Sequence, residues 1–269
     1  MSLKESIRRM LPSAVQSRRI LAGPLRGEYI VTSWHDYPAA LLGYAEPGLM
    51  AWFAKNVRPG ETWLDLGAHY GYTSLALCRY VGPQGRVFAF EPLLNTAGHL
   101  SATRRVNRLS QLTVVPLALA DFEEITSVNA QISKAMAQPL ATPADNAWVE
   151  PILCVALDTL WSRLCHTDQS ISGIKMDVEG MEAQALRGMT ELLHRHRPKL
   201  IIEVHKSRGV DLELLAPFLR QAGYNPAGKL VGKPLSADAS YEFVADQTMK
   251  AIFATASRIH TAAPALVAK

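Results

Sequence analysis

Cysteine is scarce in this chain of 269 residues. It has three, Cys78, Cys154 and Cys165, which are too few and too widely spaced for a disulfide framework. No pair of them has the spacing of metal ligands. The sequence therefore argues against the disulfide-stapled and zinc-finger classes, and we interpret the three thiols as small buried hydrophobic side chains.

Long apolar runs are missing as well. No stretch of about 18 uncharged apolar residues is available to span a bilayer. Lys4, Glu5, Arg8 and Arg9 interrupt the segment in which a signal peptide would need its apolar core. We therefore expect no membrane span and a cytoplasmic protein.

The chain also has few aromatic residues, 7%, and a modest net charge of +4. Its positive residues are spread along the chain, and no aromatic residues are interleaved with them to stack on bases. Nucleic acid is therefore not indicated as a partner. The hydrophobic fraction of 48% instead supports one α/β domain with a sizeable core.

Short apolar runs alternate with amphipathic segments through the middle of the chain. We predict strands at 62–67, 86–91, 112–117, 171–177 and 198–204, and helices at 46–57, 72–81, 96–108, 181–194 and 212–222. This alternation is typical of a mainly parallel, doubly wound sheet with helices on both faces, which binds ligands at the carboxyl ends of its strands.

The amino-terminal residues 1–45 depart from this alternation. We expect them to form an extension or lid, with a helix over 6–20 and an extended piece over 29–34. Its segment 34–37, Trp-His-Asp-Tyr, is polar and aromatic enough to line an acceptor pocket.

Weak periodicity marks two further regions. Residues 127–150 are predicted to be a variable insertion. Near the carboxyl end, the runs 241–245 and 251–254 predict an antiparallel hairpin at one edge of the sheet, and 256–269 are expected to form a flexible tail.

A glycine turn follows the first predicted core strand and consists of Asp65, Leu66, Gly67, Ala68, His69, Tyr70 and Gly71. Gly67 lets the chain turn tightly, and Gly71 lets a ligand or a strand approach the start of the helix. The spacing is not that of a dinucleotide site, where Asp65 would repel a pyrophosphate. A carboxylate suits a cation, so the turn favours S-adenosylmethionine, which carries an ammonium and a sulfonium, over NAD.

Two acidic residues follow the next two predicted strands. Glu91 lies at about the distance from the glycine turn, roughly 20 residues, at which nucleotide-binding βαβ units place their ribose-binding acid. We assign it to the ribose hydroxyls. Asp121 is expected near the adenine edge, although an aspartate of an ordinary turn is an equal alternative.

Four candidate catalytic groups lie at the carboxyl ends of the last two strands of the predicted parallel sheet: Asp177, Glu179, Glu203 and His205. Within each pair the spacing of two puts both side chains on one side of an extended chain. If the strands are neighbours, the groups converge where an acceptor meets the cofactor, and Asp177 also reaches the cofactor. A hydroxyl gains from a group that accepts its proton, and His205 is our predicted general base.

Two alternatives remain open for these groups. Carboxylates and imidazole are ordinary ligands of divalent cations, so a metal that positions and acidifies a hydroxyl is an alternative that we do not favour. Glu179 and Glu182 can instead cap the following helix and compensate its dipole.

Taken together, four motifs occur in one order: Glu46-Pro47 with 57–60, then 65–73, then 90–92, then 174–182. Over about residues 46–205 the chain resembles the FkbM-type methyltransferases. The resemblance implies a Rossmann-like class I methyltransferase domain, placed here at 46–255. It implies S-adenosylmethionine bound by the turn and Glu91, with Glu46 as a further contact, and methylation of a hydroxyl oxygen on a small-molecule, sugar or lipid acceptor.

The chain departs from that family at one point, because His69 and Tyr70 stand where asparagine and an aliphatic residue are usual. Rival functions are disfavoured by particular features. No Asn-Pro-Pro-aromatic motif follows the fourth strand, which argues against amine methylation of nucleic acid or protein. The intact acidic residues argue against a non-catalytic S-adenosylmethionine-binding protein.

Overall fold

The centre of the molecule is a seven-stranded sheet, seen in a computed structural model that describes residues 10–129, 149–165, 169–233 and 237–246. In chain order the described strands are β1 (Gln16–Arg19), β2 (Tyr29–Thr32), β3 (Thr62–Leu66), β4 (Arg86–Phe90), β5 (Leu112–Val115), β6 (Ala118–Leu119), β7 (Glu124–Asn129), β8 (Val149–Val155), β9 (Gly173–Met176), β10 (Lys199–Val204), β11 (Lys229–Leu230) and β12 (Ala239–Phe243). The described helices are α1 (Pro38–Leu42), α2 (Pro47–Asn56), α3 (Tyr72–Val81), α4 (Leu94–Val106), α5 (Leu157–Leu164), α6 (Glu182–Arg187), α7 (Thr190–His196) and α8 (Leu212–Gln221), with a 3₁₀ turn at Lys206–Arg208.

The strand order of the large sheet is β11-β12-β10-β9-β3-β4-β5. The five strands from β10 to β5 are parallel, and β12 runs antiparallel to both β10 and β11. This confirms the predicted α/β fold with a mainly parallel sheet and an antiparallel edge hairpin. Residues 251–254, the predicted second strand of that hairpin, lie outside the described residues. In the described part of the chain, β12 pairs with β11.

The central strands are buried on both faces, as parallel strands covered by helices must be. Alternate side chains of β3 enter two different core clusters: Leu64 lies in one with α5 and α8, and Trp63 lies in the other with α2 and α3. In such strands an ionisable side chain is costly unless it is paired. Asp65 in β3 and Lys175 in β9 are therefore conspicuous.

The amino-terminal segment packs onto the cluster that contains Trp63. Ile20, Ile30 and Leu41 are buried there. The backbone of β2 is also tied to α4, since Val31 N donates to Thr103 Oγ1 at 2.9 Å. The predicted helix over 6–20 is wrong for residues 11–20, because β1 pairs with β2 in an antiparallel ribbon.

Two further differences from the predicted elements occur at a proline and at a glycine. The strand predicted at 112–117 is interrupted by Pro116, which cannot donate to a ladder, and β6 joins a second sheet of order β6-β8-β7. The helix predicted at 181–194 is split into α6 and α7 at Gly188, where a Cβ would overlap the Ala120 carbonyl oxygen. Helix α5 was not predicted, and most of the predicted insertion, 130–148, lies outside the described residues.

No helix in the described part of the chain is long and apolar enough to cross a membrane.

Candidate active site

A cavity of about 550 Å³ opens at the carboxyl ends of β3, β4, β9 and β10. One wall is apolar and includes Leu117, Leu119, Val128 and Ile152 from the region of the second sheet. Other walls carry the residues that follow the four strands, together with Asp36, Tyr37 and Glu46 from the amino-terminal side. This size and mixture are those of a site for a small molecule.

The glycine turn forms the floor of the cavity. Gly67 has φ +75°, and a Cβ there would overlap the Asp177 carbonyl oxygen, so only glycine fits. The backbone N–H groups of Gly67 and Ala68 both donate to Phe90 O at 3.0 Å, which fixes the turn to the end of β4. Gly67, Ala68 and His69 line the cavity, and their contact with a cofactor stays a prediction.

Glu91 joins the turn to the cavity. It is 4% exposed, and its two carboxylate oxygens accept hydrogen bonds from His69 N at 2.9 Å and Leu93 N at 3.0 Å. Burial raises the pKa of Glu91 to about 7, although the two backbone N–H groups favour its charged form. Glu91 thus holds the turn and presents a carboxylate to the cavity.

His69 adds an unpaired polar atom to the floor of the cavity. Its Nε2 is buried and has no hydrogen-bond partner among the described residues. Burial lowers the pKa of His69 to about 4, so the imidazole is neutral at pH 7. A nitrogen in this state is available to a bound ligand.

Four predicted cofactor residues do not line the cavity: Tyr70, Gly71, Asp121 and Asp65. The Tyr70 hydroxyl donates to Asp36 Oδ2 at 3.4 Å. Gly71 packs against Leu100 of α4, and a Cβ at position 71 would overlap the Leu100 side chain. Asp121 is exposed and accepts from Arg187 Nε at 2.5 Å. Near the expected adenine edge, the cavity is lined by Leu117, Ala118 and Leu119 instead.

Asp65 is fully buried and is enclosed by protein groups. Thr73 Oγ1 and Ser74 Oγ donate to its Oδ2 at 2.7 and 2.6 Å, and Lys175 Nζ lies 3.2 Å from its Oδ1. Direct contact between Asp65 and the cofactor's ammonium stays a prediction, since the structure places this carboxylate on Lys175.

Lys175 is a site residue that the sequence reasoning missed. Its ammonium is 3.1 Å from Gly67 O and 3.5 Å from Asp177 Oδ2, besides its contact with Asp65. Burial opposes its charge, but the negative charges of Asp65 and Asp177 outweigh that effect and raise the pKa of Lys175. The available signal was a lysine inside an otherwise apolar strand, Gly-Ile-Lys-Met.

The Lys175→Met variant is expected to lower the free energy of unfolding by about 3–5 kcal/mol, because it leaves the buried carboxylate of Asp65 without its cation. Urea denaturation followed by circular dichroism measures this change. The Asp65→Asn/Lys175→Met double variant should recover part of the loss, since both charges are then removed.

Lys199→Met is the matched control for this prediction. Lys199 pairs with Glu61 at 2.7 Å but is 40% exposed, so its loss should cost at most about 1 kcal/mol. Equal stability of the Lys175→Met variant and the unaltered protein would contradict a supporting role for Lys175.

The four predicted catalytic groups converge on the opposite wall. His205 Nε2 lies 3.4 Å from Asp177 Oδ1 and 3.8 Å from Glu179 Oε2. Glu203 of β10, the strand that His205 follows, also lines the cavity. The convergence follows from the pairing of β9 with β10.

The charges of these groups are strongly coupled. Burial disfavours a charged His205, but the hydrogen bond to Glu182 and the charges of Asp177 and Glu179 outweigh it and raise the pKa of His205 to about 9. Burial and the charge of Asp177 raise the pKa of Glu203 to about 8. Asp177, Glu179 and His205 also offer one donor atom each within 4.8 Å of one another, which is the arrangement behind the alternative of a metal.

Glu46 also faces the cavity, as the cofactor contact implied by the resemblance requires. It precedes the first turn of α2 with φ +45°. Burial raises the pKa of its carboxyl to about 7, against the influence of Lys175.

The family model described as the methyltransferase FkbM domain matches residues 65–226, more than half of the chain. The chain belongs to the FkbM methyltransferase family. This membership confirms the predicted family and its Rossmann-like fold.

Solved structures with a similar fold include the methyltransferase FkbM from Methylobacillus flagellatus KT, at 20% identity and a TM-score of 0.49, covering 77% of this chain and 52% of that one. This chain thus spans about half the length of that protein. A putative rRNA-methylase from Clostridium thermocellum has 12% identity and a TM-score of 0.45, with 74% and 96% covered. Fibrillarin from Aeropyrum pernix, in complex with natively bound S-adenosyl-L-methionine, has 14% identity and a TM-score of 0.44, with 70% and 68% covered. No curated protein sequence matches the chain.

The residues of this cavity fit S-adenosylmethionine. Glu91 offers carboxylate oxygens to ribose hydroxyls, and the apolar wall of Leu117 and Leu119 suits a flat base. The unpaired Nε2 of His69 can meet a polar group of the amino-acid portion. The neighbouring carboxylates of Glu46 and Asp177 favour a cationic ligand.

Proposed function

We propose that this FkbM-family protein methylates a hydroxyl oxygen of a small-molecule, sugar or lipid acceptor, with His205 as the general base. One observation carries the proposal: His205, Asp177, Glu179 and Glu203 line the same cavity as the glycine turn and Glu91. The proposed proton acceptor and the proposed cofactor-binding turn therefore line one cavity.

His205 Nε2 would receive the proton of the acceptor hydroxyl as its oxygen bonds to the methyl carbon. When bound, S-adenosylmethionine supplies that methyl group, and the carbon–sulfur bond breaks with its electron pair going to sulfur. The positive charge of a bound S-adenosylmethionine would lower the pKa of His205 from about 9. The imidazole would then be closer to its neutral, basic form. Removal of the hydroxyl proton at that nitrogen accounts for about 10²- to 10⁴-fold in rate.

The carboxylates around His205 support this arrangement in different ways. Asp177 lies between the Lys175 ammonium and the imidazole and fixes their separation. Glu203, with its raised pKa, can bond an acceptor hydroxyl either as donor or as hydrogen-bond acceptor near neutral pH.

Isothermal titration with S-adenosylmethionine, S-adenosylhomocysteine and NAD, with and without a chelator, is the primary test, and it includes a Glu91→Gln variant. We expect the first two ligands to bind and NAD not to bind. Glu91→Gln should weaken cofactor binding by about 1–3 kcal/mol, since an amide cannot accept hydrogen bonds at both of its terminal atoms. Exposed Glu123→Gln is the control and should bind normally.

The acceptor class is tested with methyl-labelled S-adenosylmethionine and a panel of sugars, lipids, small hydroxylated molecules, RNA and proteins. Label on a hydroxyl oxygen of one of the first three supports the proposal. Binding of NAD alone, or label only in RNA or protein, would refute it.

A further inference from the structure

Glu182 lies behind the general base and is itself fully buried. Its Oε1 is 2.6 Å from His205 Nδ1, and the same oxygen accepts from Gly180 N at 3.1 Å. The carboxylate is therefore turned toward the imidazole. Capping of the helix, the other reading of this residue, does not by itself account for the contact with His205.

This contact sets the roles of the two ring nitrogens. A carboxylate accepts a hydrogen bond, so Nδ1 carries hydrogen and donates to Glu182. In the neutral imidazole Nε2 then has no hydrogen and is free to accept one. Nε2 is the nitrogen that faces Asp177 and Glu179 on the cavity wall.

We propose that Glu182 is a positioning residue of the reaction, which holds His205 in the tautomer and orientation that present a bare Nε2 to the acceptor hydroxyl. This inference rests on the proposed function, in which His205 is the base. Glu182 does not line the cavity and acts through His205.

Other charged groups also face His205, from every element packed around it. They are Asp177 and Glu179 after β9, Glu203 on β10 and Asp238 before β12, and Arg208 in the 3₁₀ turn pairs with Glu179. Among the described residues, Glu182 is the carboxylate placed at Nδ1, whereas Asp177 and Glu179 lie on the Nε2 side. The other carboxylates therefore cannot replace its effect on the tautomer.

Two substitutions separate charge from hydrogen bonding. Glu182→Gln keeps a carbonyl oxygen that can accept from Nδ1, whereas Glu182→Met removes the acceptor at similar length. We expect the first variant to lower the pKa of His205 toward the ordinary value of about 6.5 and to keep the tautomer. The second should also give a mixture of tautomers.

Nitrogen-15 NMR of histidine-labelled protein measures both quantities without an acceptor. Glu191→Gln, an exposed change in the first turn of the neighbouring α7, is the control and should match the unaltered protein. With an acceptor from the screen, Glu182→Met should lower kcat by about 10- to 100-fold and leave KM within about twofold. The pH profile of its activity should shift to lower pH. Glu182→Asp should restore part of kcat.

An unchanged His205 tautomer and pH profile in the Glu182→Met variant would overturn the positioning role. If that variant does not fold, unchanged His205 pKa and kcat in Glu182→Gln and Glu182→Asp would overturn it equally. Failure of the unaltered protein to bind S-adenosylmethionine would instead defeat the proposed function, so the two failures are distinguishable.

Discussion

The Gly67→Ala variant is expected to bind S-adenosylmethionine about 100-fold more weakly than the unaltered protein. A Cβ at position 67 would overlap the Asp177 carbonyl oxygen, and φ there is +75°. Overpacking costs about 1–3 kcal/mol and a left-handed φ in a residue with a Cβ about 1–2 kcal/mol of folding stability. The loss of affinity comes from the backbone shift that relieves the overlap, because this shift displaces the residues that line the cavity. Gly67 belongs to the floor of the cavity, and Asp177 belongs to the wall that carries the predicted catalytic groups. A shift that relieves their overlap would therefore move both parts of the site. Isothermal titration measures the effect.

Gly60→Ala is the matched control for that change. Gly60 has a similar φ of +82°, but no atom lies within 4 Å of a Cβ built there. This variant should lose roughly 1–2 kcal/mol of stability from its φ alone and keep full affinity for the cofactor. Equal affinities of the Gly60→Ala and Gly67→Ala variants would show that the close contact with Asp177 does not shape the cofactor site.

The His205→Gln variant is expected to lose about 10²- to 10⁴-fold in turnover and to bind S-adenosylmethionine within about twofold of the unaltered protein. Glutamine occupies similar space and forms hydrogen bonds, but it cannot take up a proton at neutral pH. Methyl transfer to an identified acceptor and isothermal titration measure the two quantities. His196→Gln, on α7 away from the cavity, should leave both unchanged.

His205 also predicts how activity and stability depend on pH. Its folded pKa, about 9, lies above the ordinary value of about 6.5, so its stabilising effect is fully present below about 6.5 and is lost as pH rises through 9. Turnover should instead rise with pH as the imidazole loses its proton, and His205→Gln should abolish both dependences. A variant with normal turnover and only reduced stability would assign His205 a structural role.

Local patterns in the sequence sufficed for the five parallel strands of the large sheet and for the glycine turn. The buried run that ends in Gly67 and the strand that ends at Glu91 are each defined within a few residues, because backbone conformation and burial pattern are local properties. The convergence of Asp177 with His205 required one further assumption, that two consecutive parallel strands are neighbours, and β9 does pair with β10.

Local pattern failed where a feature depends on a distant partner. Residues 16–19 form a strand because β2 is beside them, and nothing within those four residues encodes that pairing. Asp121 follows its strand as expected, but Arg187 of α6 holds its carboxylate outside the cavity. Tyr70 and Gly71 are likewise directed toward Asp36 and Leu100 by packing.

The sequence by itself determined the fold class, the glycine turn and the acidic ends of the strands, since these depend on residue type and period. Only the tertiary structure decided which charges meet. β3 lies beside β9, with Asp65 opposite Lys175 in register, although the two residues are 110 positions apart in the chain. α6 likewise brings the buried carboxylate of Glu182 to His205. The physical reason is that crossover connections fix strand order and helix placement, and the electrostatics of a buried site depend on those neighbours rather than on spacing along the chain.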